Sequence, residues 1–230
     1  MRALMFTTGS PFARGIRVIL DELGLDYEHK EQITALTVEE SAKATPTLQV
    51  PTFWDGDTTL WESSLIADYL LSTYAERPTA SPPLATYIAR PDNEWADKLI
   101  LATIQTLGTA SATISQMKWS GVALSDNEFL TRHADRLPHL MKWLEDKLMN
   151  EQQGFIEGSV SVQDIFLVCH LGFIANRPLG IDPELSRFPK IEAMVGRMNE
   201  RASFQANPIL WWEPGVIGYA EDGKTPVFDT

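Results

Sequence analysis

The chain has 230 residues, 31 of them acidic against 19 basic, for a formal charge of -12. This length suits one large domain or two small ones, and 44% hydrophobic with 22% charged residues supplies a packed core, which excludes global disorder and a coiled coil. The acidic balance argues against binding to nucleic-acid backbones or anionic lipid, and the lone Cys169 excludes an intrachain disulfide, a Cys-x-x-Cys redox pair and a cysteine-rich zinc site.

The first residues, Met1-Arg2-Ala3-Leu4-Met5-Phe6, lack the longer apolar stretch of a secretory signal, so a cytoplasmic location is expected. Residues 3–6 read as a strand ending in the turn-prone Thr7-Thr8-Gly9. Pro11 then stands where a first helical residue would, with Ser10 as its cap. Phe12, Ile16, Ile19, Leu20 and Leu23 follow at helical spacing, and Gly24 supplies the stop. Residues 27–33 predict a second strand and residues 38–44 a short helix. Thr52-Phe53-Trp54, Asp55-Gly56 and Thr58-Thr59-Leu60 read as a hairpin, because Asp-Gly favours a primed two-residue turn. Glu62-Ser63-Ser64 opens a helix with Leu65, Ile66, Tyr69 and Leu70 on one face. The order so far is βαβαββα.

Pro78, Pro82, Pro83 and Pro91 among Thr, Ala and Ser mark a linker. Beyond it helical content dominates, over residues 92–117, 125–150, 162–174 and 191–202, and the remainder reads as all-helical with an irregular tail containing Trp211 and Trp212. Residues 99–117 carry no charge, but Thr, Ser, Gln and Gly interrupt them, which predicts a buried helix and not a membrane span. Ser161-Val162-Gln163-Asp164 reads as a capping box ahead of an apolar run, and Cys169 and His170 fall inside that helix as core residues. Ser115-Gln116-Met117-Lys118 matches a Ser-x-x-Lys pattern without its companion motifs. His29, His133, His139 and His170 show no zinc-ligand spacing, and no phosphate loop or Gly-x-Gly-x-x-Gly occurs, so neither metal nor nucleotide is implied.

Three local motifs now fall in order along this pattern: Ser10-Pro11-Phe12-Ala13, Gln49-Val50-Pro51 and Glu62-Ser63. Together they resemble the soluble glutathione transferase superfamily over nearly the whole chain, and Ser10-Pro11-Phe12-Ala13 is similar to the omega-type motif with Ser in place of Cys. The resemblance implies a thioredoxin-like α/β domain over residues 1–78, a linker over 79–91 and an all-α helical domain over 92–230. It implies glutathione as cosubstrate, a small apolar electrophile as second substrate and a homodimer, with no nucleic-acid or membrane partner.

Each motif has a physical reading beside a plainer one. Ser10 offers a hydroxyl donor beside the free N-H groups of a helix start, an arrangement that stabilises a thiolate; by itself a Ser there is a helix cap. Thr7, Thr8 and Ser63 are the other candidate donors. Proline makes a cis Val50-Pro51 bond accessible, and the resemblance implies that the exposed Val50 backbone pairs with the cysteinyl part of glutathione while Gln49 reaches its glycyl end. Glu62 would take the γ-glutamyl ammonium and Ser63 its carboxylate, where capping preference alone would make Ser63 or Ser64 the helix cap. The second substrate would lie between the domains, against Pro11, Phe12, Leu101, Gln105, Thr109, Met117 and Trp119, with Trp211 or Trp212 as a lid. Because Ser cannot form a mixed disulfide, conjugation is expected over thiol reduction; glutathione-dependent isomerisation, dehalogenation or ether cleavage would share the first site. A non-catalytic relative of the same fold would lack the constellation.

Overall fold

Arg2–Phe6 form β1, whose Ala3, Leu4, Met5 and Phe6 are all buried, the pattern of a central strand covered on both faces. In this computed structural model, which describes residues 1–31, 38–75, 82–208, 216–219 and 226–228, β1 runs into α1 (Pro11–Glu22), capped at one end by Ser10 and left through Gly24 at φ 62°. The helix returns the chain to β2 (Glu28–Glu31), parallel to β1, as parallel pairing requires. Residues 32 and 33, the expected end of that strand, lie outside the described residues. After α2 (Val38–Ala44) come β3 (Thr52–Asp55) and β4 (Thr58–Trp61), each antiparallel to its neighbour, giving the sheet order β2-β1-β3-β4. Helix α3 (Ser63–Tyr74) then packs against α1.

The hairpin differs from the sequence reading by one residue. Asp55 pairs with Thr58 inside the ladder, so the turn is Gly56-Asp57, and only Gly56, at φ 58°, takes the left-handed conformation. A tertiary contact accounts for the shift: the hydroxyls of Tyr69 and Tyr74 on α3 both donate to the Asp55 carboxylate and hold it in the strand.

The second half is built from α4 (Glu94–Trp119), α5 (Glu128–Lys147), α6 (Val162–Ala175), α7 (Pro189–Asn199) and α8 (Ala202–Ala206). Of the expected linker, residues 79–81 are not described; Leu84 bridges Val160. The tail, expected to be irregular, contributes an antiparallel pair, β5 (Val216–Tyr219) with β6 (Pro226–Phe228). The capping box forms as expected, Ser161 Oγ accepting from Asp164 N and the Asp164 carboxylate accepting from Ser161 N. Behind it α6 is buried almost all round, as an apolar helix must be.

Two glycines let helices meet α6 closely. A Cβ on Gly15 of α1 would stand 2.4 Å from the Phe166 ring, and one on Gly108 of α4 would stand 2.3 Å from the His170 ring, both well inside van der Waals contact. The halves are further joined by polar contacts. Glu22 of α1 pairs with Arg201 through two contacts at 2.9 and 2.6 Å, and Arg14 Nε donates to the Asn207 carbonyl at 2.6 Å. Helix α4 is buried on one side only. Ile100, Ile104 and Leu107 face inward while Trp95, Leu99, Ala102, Thr106 and Thr109 are exposed, so the expectation of a buried helix holds for half its circumference. No helix among the described residues is long and apolar enough to cross a membrane.

Candidate functional site

Ser10 sits between β1 and α1 in extended conformation, its Oγ accepting from Ala13 N at 3.2 Å and its N-H donating to the Thr7 carbonyl at 3.1 Å. It therefore caps the helix. Capping uses a lone pair of the oxygen and leaves the hydroxyl proton available for a further acceptor. The turn is held from the other half of the molecule: Arg177, just beyond α6, donates from Nη2 to the Gly9 carbonyl at 2.7 Å while its guanidinium lies 3.7 Å from the centre of the Phe173 ring. That contact brings a fixed positive charge to the turn bearing Ser10.

The Val50-Pro51 peptide bond is cis. Val50 precedes the β-ladder, whose first pairs on β3 are made by Thr52 to Met5 and to Trp61. Strand pairing thus leaves the Val50 backbone unclaimed, as an added strand requires.

Glu62, the residue before α3, has φ 69° and ψ 111°, far from the regions open to a non-glycine residue without strain. It makes no side-chain cap, and the helix begins at Ser63, which is buried. Neither Ser63 nor Ser64 serves as the cap that side-chain preference alone would predict. The first-turn N-H groups, including those of Ser63 and Ser64, have no intrahelical partner. An exposed carboxylate and a hydroxyl at a positive helix end thus stand side by side.

These parts converge on a small cavity of about 110 Å³ lined by Phe12, Thr47, Gln49, Val50, Pro51, Glu62, Ser63 and Thr109. Gln49, Val50, Pro51, Glu62 and Ser63 come from two separate segments of the first half, Phe12 from α1 and Thr109 from α4. Pro11 and Ser10 stand immediately before Phe12 but outside the walls. Thr47, absent from the sequence reading, lines the cavity while its hydroxyl meets that of Thr45 at 2.9 Å.

The proposed second-substrate residues divide. Thr109 reaches the cavity and Leu101 is core. Met117 packs against the core, and Trp119 lies ten residues past Thr109 on α4, roughly 15 Å along the axis at 1.5 Å per residue, so neither is part of this wall. Trp211 and Trp212 lie outside the described residues. Gln105, one turn before Thr109, is engaged elsewhere: its Nε2 donates to Ser64 Oγ at 3.1 Å and its Oε1 meets His170 Nε2 at 3.3 Å.

His170 is fully buried, packed edge-on against Phe12 with ring centres 4.7 Å apart and stacked on Phe166. Burial pushes its pKa down to about 3, so the ring is neutral at ordinary pH. Cys169 beside it is also buried, and desolvation pushes its thiol up to about 11 despite the Arg14 and Arg17 guanidiniums nearby. A thiol so placed stays protonated and unreactive.

Residues 4–78 match the family model of the glutathione S-transferase N-terminal domain. A glutathione S-transferase-like protein, gedE, of Aspergillus terreus is 33% identical over 90 residues, an alignment covering 38% of this chain and 40% of the relative's length. A glutathione S-transferase structure from Methylobacillus flagellatus with GSH bound superposes with a TM-score of 0.73 at 20% identity, covering 90% of this chain and 98% of that one. Another, from Methylobacterium radiotolerans in complex with glutathione sulfonate, gives 0.74 at 18% identity, with 100% and 98% covered.

Proposed function

We propose that this chain, a member of the glutathione S-transferase superfamily by its N-terminal domain and its fold, binds glutathione as a thiolate and transfers it to a small, largely apolar electrophile. The observation that carries this reading is the cavity itself, which gathers Gln49, Val50, Pro51, Glu62 and Ser63 with Phe12 and Thr109. In this reading Glu62 takes the γ-glutamyl ammonium, and Ser63, with the N-H groups of its helix start, takes the carboxylate. The Val50 backbone pairs with the cysteinyl residue, and Gln49 reaches the glycyl end. That places the sulfur toward the β1–α1 turn, where the Ser10 hydroxyl donates to it.

The protein supplies no nucleophile of its own. Ser10, the α1 terminus and the Arg177 charge lower the thiol pKa, and the sulfur lone pair forms the new C–S bond as the electrophile's leaving group departs with its electron pair. Orientation of the two substrates supplies further rate. A serine at this position forms no mixed disulfide, which favours transfer over thiol reduction. The outer face of α4, where Trp95 and Leu99 are 78% and 55% exposed beside the Glu94–Lys98 ion pair, suits a second copy of the chain, and we extend the proposal to a cytoplasmic homodimer.

Titration calorimetry with glutathione tests the assignment. Glu62→Ala removes an exposed carboxylate and is expected to weaken binding roughly tenfold or more, the worth of one charge-assisted hydrogen bond, with the unfolding temperature unchanged. Wild-type affinity in that variant, or no heat from the wild type, would refute the reading.

A further inference from the structure

A polar chain behind the cavity, buried at His170 and half-buried at Gln105 and Ser64, joins three helices distant in sequence. Gln105 stands at its centre. Its Nε2 donates to Ser64 Oγ on α3, so Oε1 faces His170 on α6. A carbonyl oxygen only accepts, and Nε2 of His170 therefore carries the ring proton while Nδ1 does not. Nδ1 is buried with no hydrogen-bond partner among the described residues, and the hydrogen bond the ring makes there is to Gln105.

Each end of this chain lies next to a residue that lines the proposed glutathione site. The His170 ring packs against Phe12, a cavity wall. Ser64 directly follows Glu62 and Ser63, which also line the cavity. Thr109, a third wall residue, is one turn from Gln105 on the same helix. Gly108, next to Thr109, has no side chain because the His170 ring occupies that space, 2.3 Å from where a Cβ would stand. His170 is thus held sterically by α4 and α1, and Gln105 links it to the first turn of α3.

We infer that His170 and Gln105 are positioning residues, through which the helical half of the molecule sets the α3 N-terminus in register for the glutamyl carboxylate. The inference rests on the glutathione reading above. Because Ser64 Oγ accepts from Gln105, its hydroxyl proton is directed elsewhere, and Ser64 becomes a second hydroxyl donor at the helix end. Neither His170 nor Gln105 touches the reacting sulfur, and both act through α3.

The test compares glutathione affinity with stability in the full chain. His170→Phe keeps an aromatic ring between Phe12 and Phe166 and removes the proton donor; Gln105→Leu removes both polar contacts. Each is expected to weaken glutathione roughly five- to tenfold, the effect of one lost hydrogen bond. His170→Phe should unfold no more easily than wild type, because it also removes the unpartnered buried Nδ1. Ser64→Ala combined with Gln105→Leu should be no weaker than Ser64→Ala alone, since Gln105 acts through Ser64. In the ligand-free protein, NMR of the His170 ring should show the Nε2-H tautomer. Unchanged affinity in both single variants beside a wild type that binds glutathione would overturn the positioning role alone. Affinity losses that merely track losses of stability would overturn it too. A wild type that does not bind would refute the glutathione reading, and this inference with it.

Discussion

Ser10 performs two tasks with one oxygen, and substitution can separate them. As a cap it accepts from Ala13 N at 3.2 Å; as a thiolate partner it donates its proton. Ser10→Ala abolishes both. Loss of the cap costs about 0.5–2 kcal/mol. Loss of a hydrogen bond to a charged sulfur costs about 1.5–3 kcal/mol, which at about 1.4 kcal/mol per pKa unit raises the bound thiol by roughly one to two units. Ser10→Gly removes the same hydroxyl but, at a cap position, costs only a few tenths of a kcal/mol of stability. The two variants should therefore share the same raised thiol pKa while Ser10→Ala loses more stability than Ser10→Gly, about 0.5–2 kcal/mol against a few tenths. Thiolate absorbance of bound glutathione against pH gives the first quantity and urea unfolding the second. An unchanged thiol pKa in both variants would remove Ser10 from the chemistry and leave it a cap.

Other consequences follow from packing and burial. Gly15→Ala would place a Cβ 2.4 Å from the ring of Phe166, itself fully buried and unable to swing away; a loss of about 1–3 kcal/mol is expected in denaturant unfolding, and an unaffected midpoint would contradict the helix contact. His170 has a folded pKa of about 3 below the unfolded value near 6.5. The unfolded chain thus binds more protons, and stability should fall as pH drops from about 6.5 toward 3. His133, lowered for the same reason of burial, adds to this, and His170→Phe should flatten the slope measured by unfolding midpoints across that window. Cys169, buried with its thiol pushed up to about 11, should resist thiol-specific reagents at pH 8 until the chain unfolds; rapid modification of the native protein would show that α6 opens.

Much of the architecture was legible because it depends on near neighbours. Ser10 ahead of Pro11, the stop at Gly24 and the Ser161-to-Asp164 box are each written within a few residues, and each forms as read. The resemblance carried by the motifs implied that Gln49, Val50, Pro51, Glu62 and Ser63 come together, and all five line one cavity. The hairpin register escaped by one residue because Tyr69 and Tyr74, on the following helix, decide where Asp55 lies.

What lay beyond the sequence was a set of specific contacts between residues far apart along the chain. His170 reads as one more core residue inside an apolar helix, and nothing near it announces that it packs on Phe12 and holds Gln105. Arg177 gives no sign that its guanidinium reaches back to Gly9. Gln105 and Trp119 look equally suited to line a pocket when judged by residue type, yet helix rotation and rise carry one to α3 and the other away from the cavity. Capping and turn preferences are local free energies that composition and spacing encode directly. The meeting of α1, α4 and α6 is fixed by how close their backbones come at Gly15 and Gly108, a distance that exists only once the chain has folded.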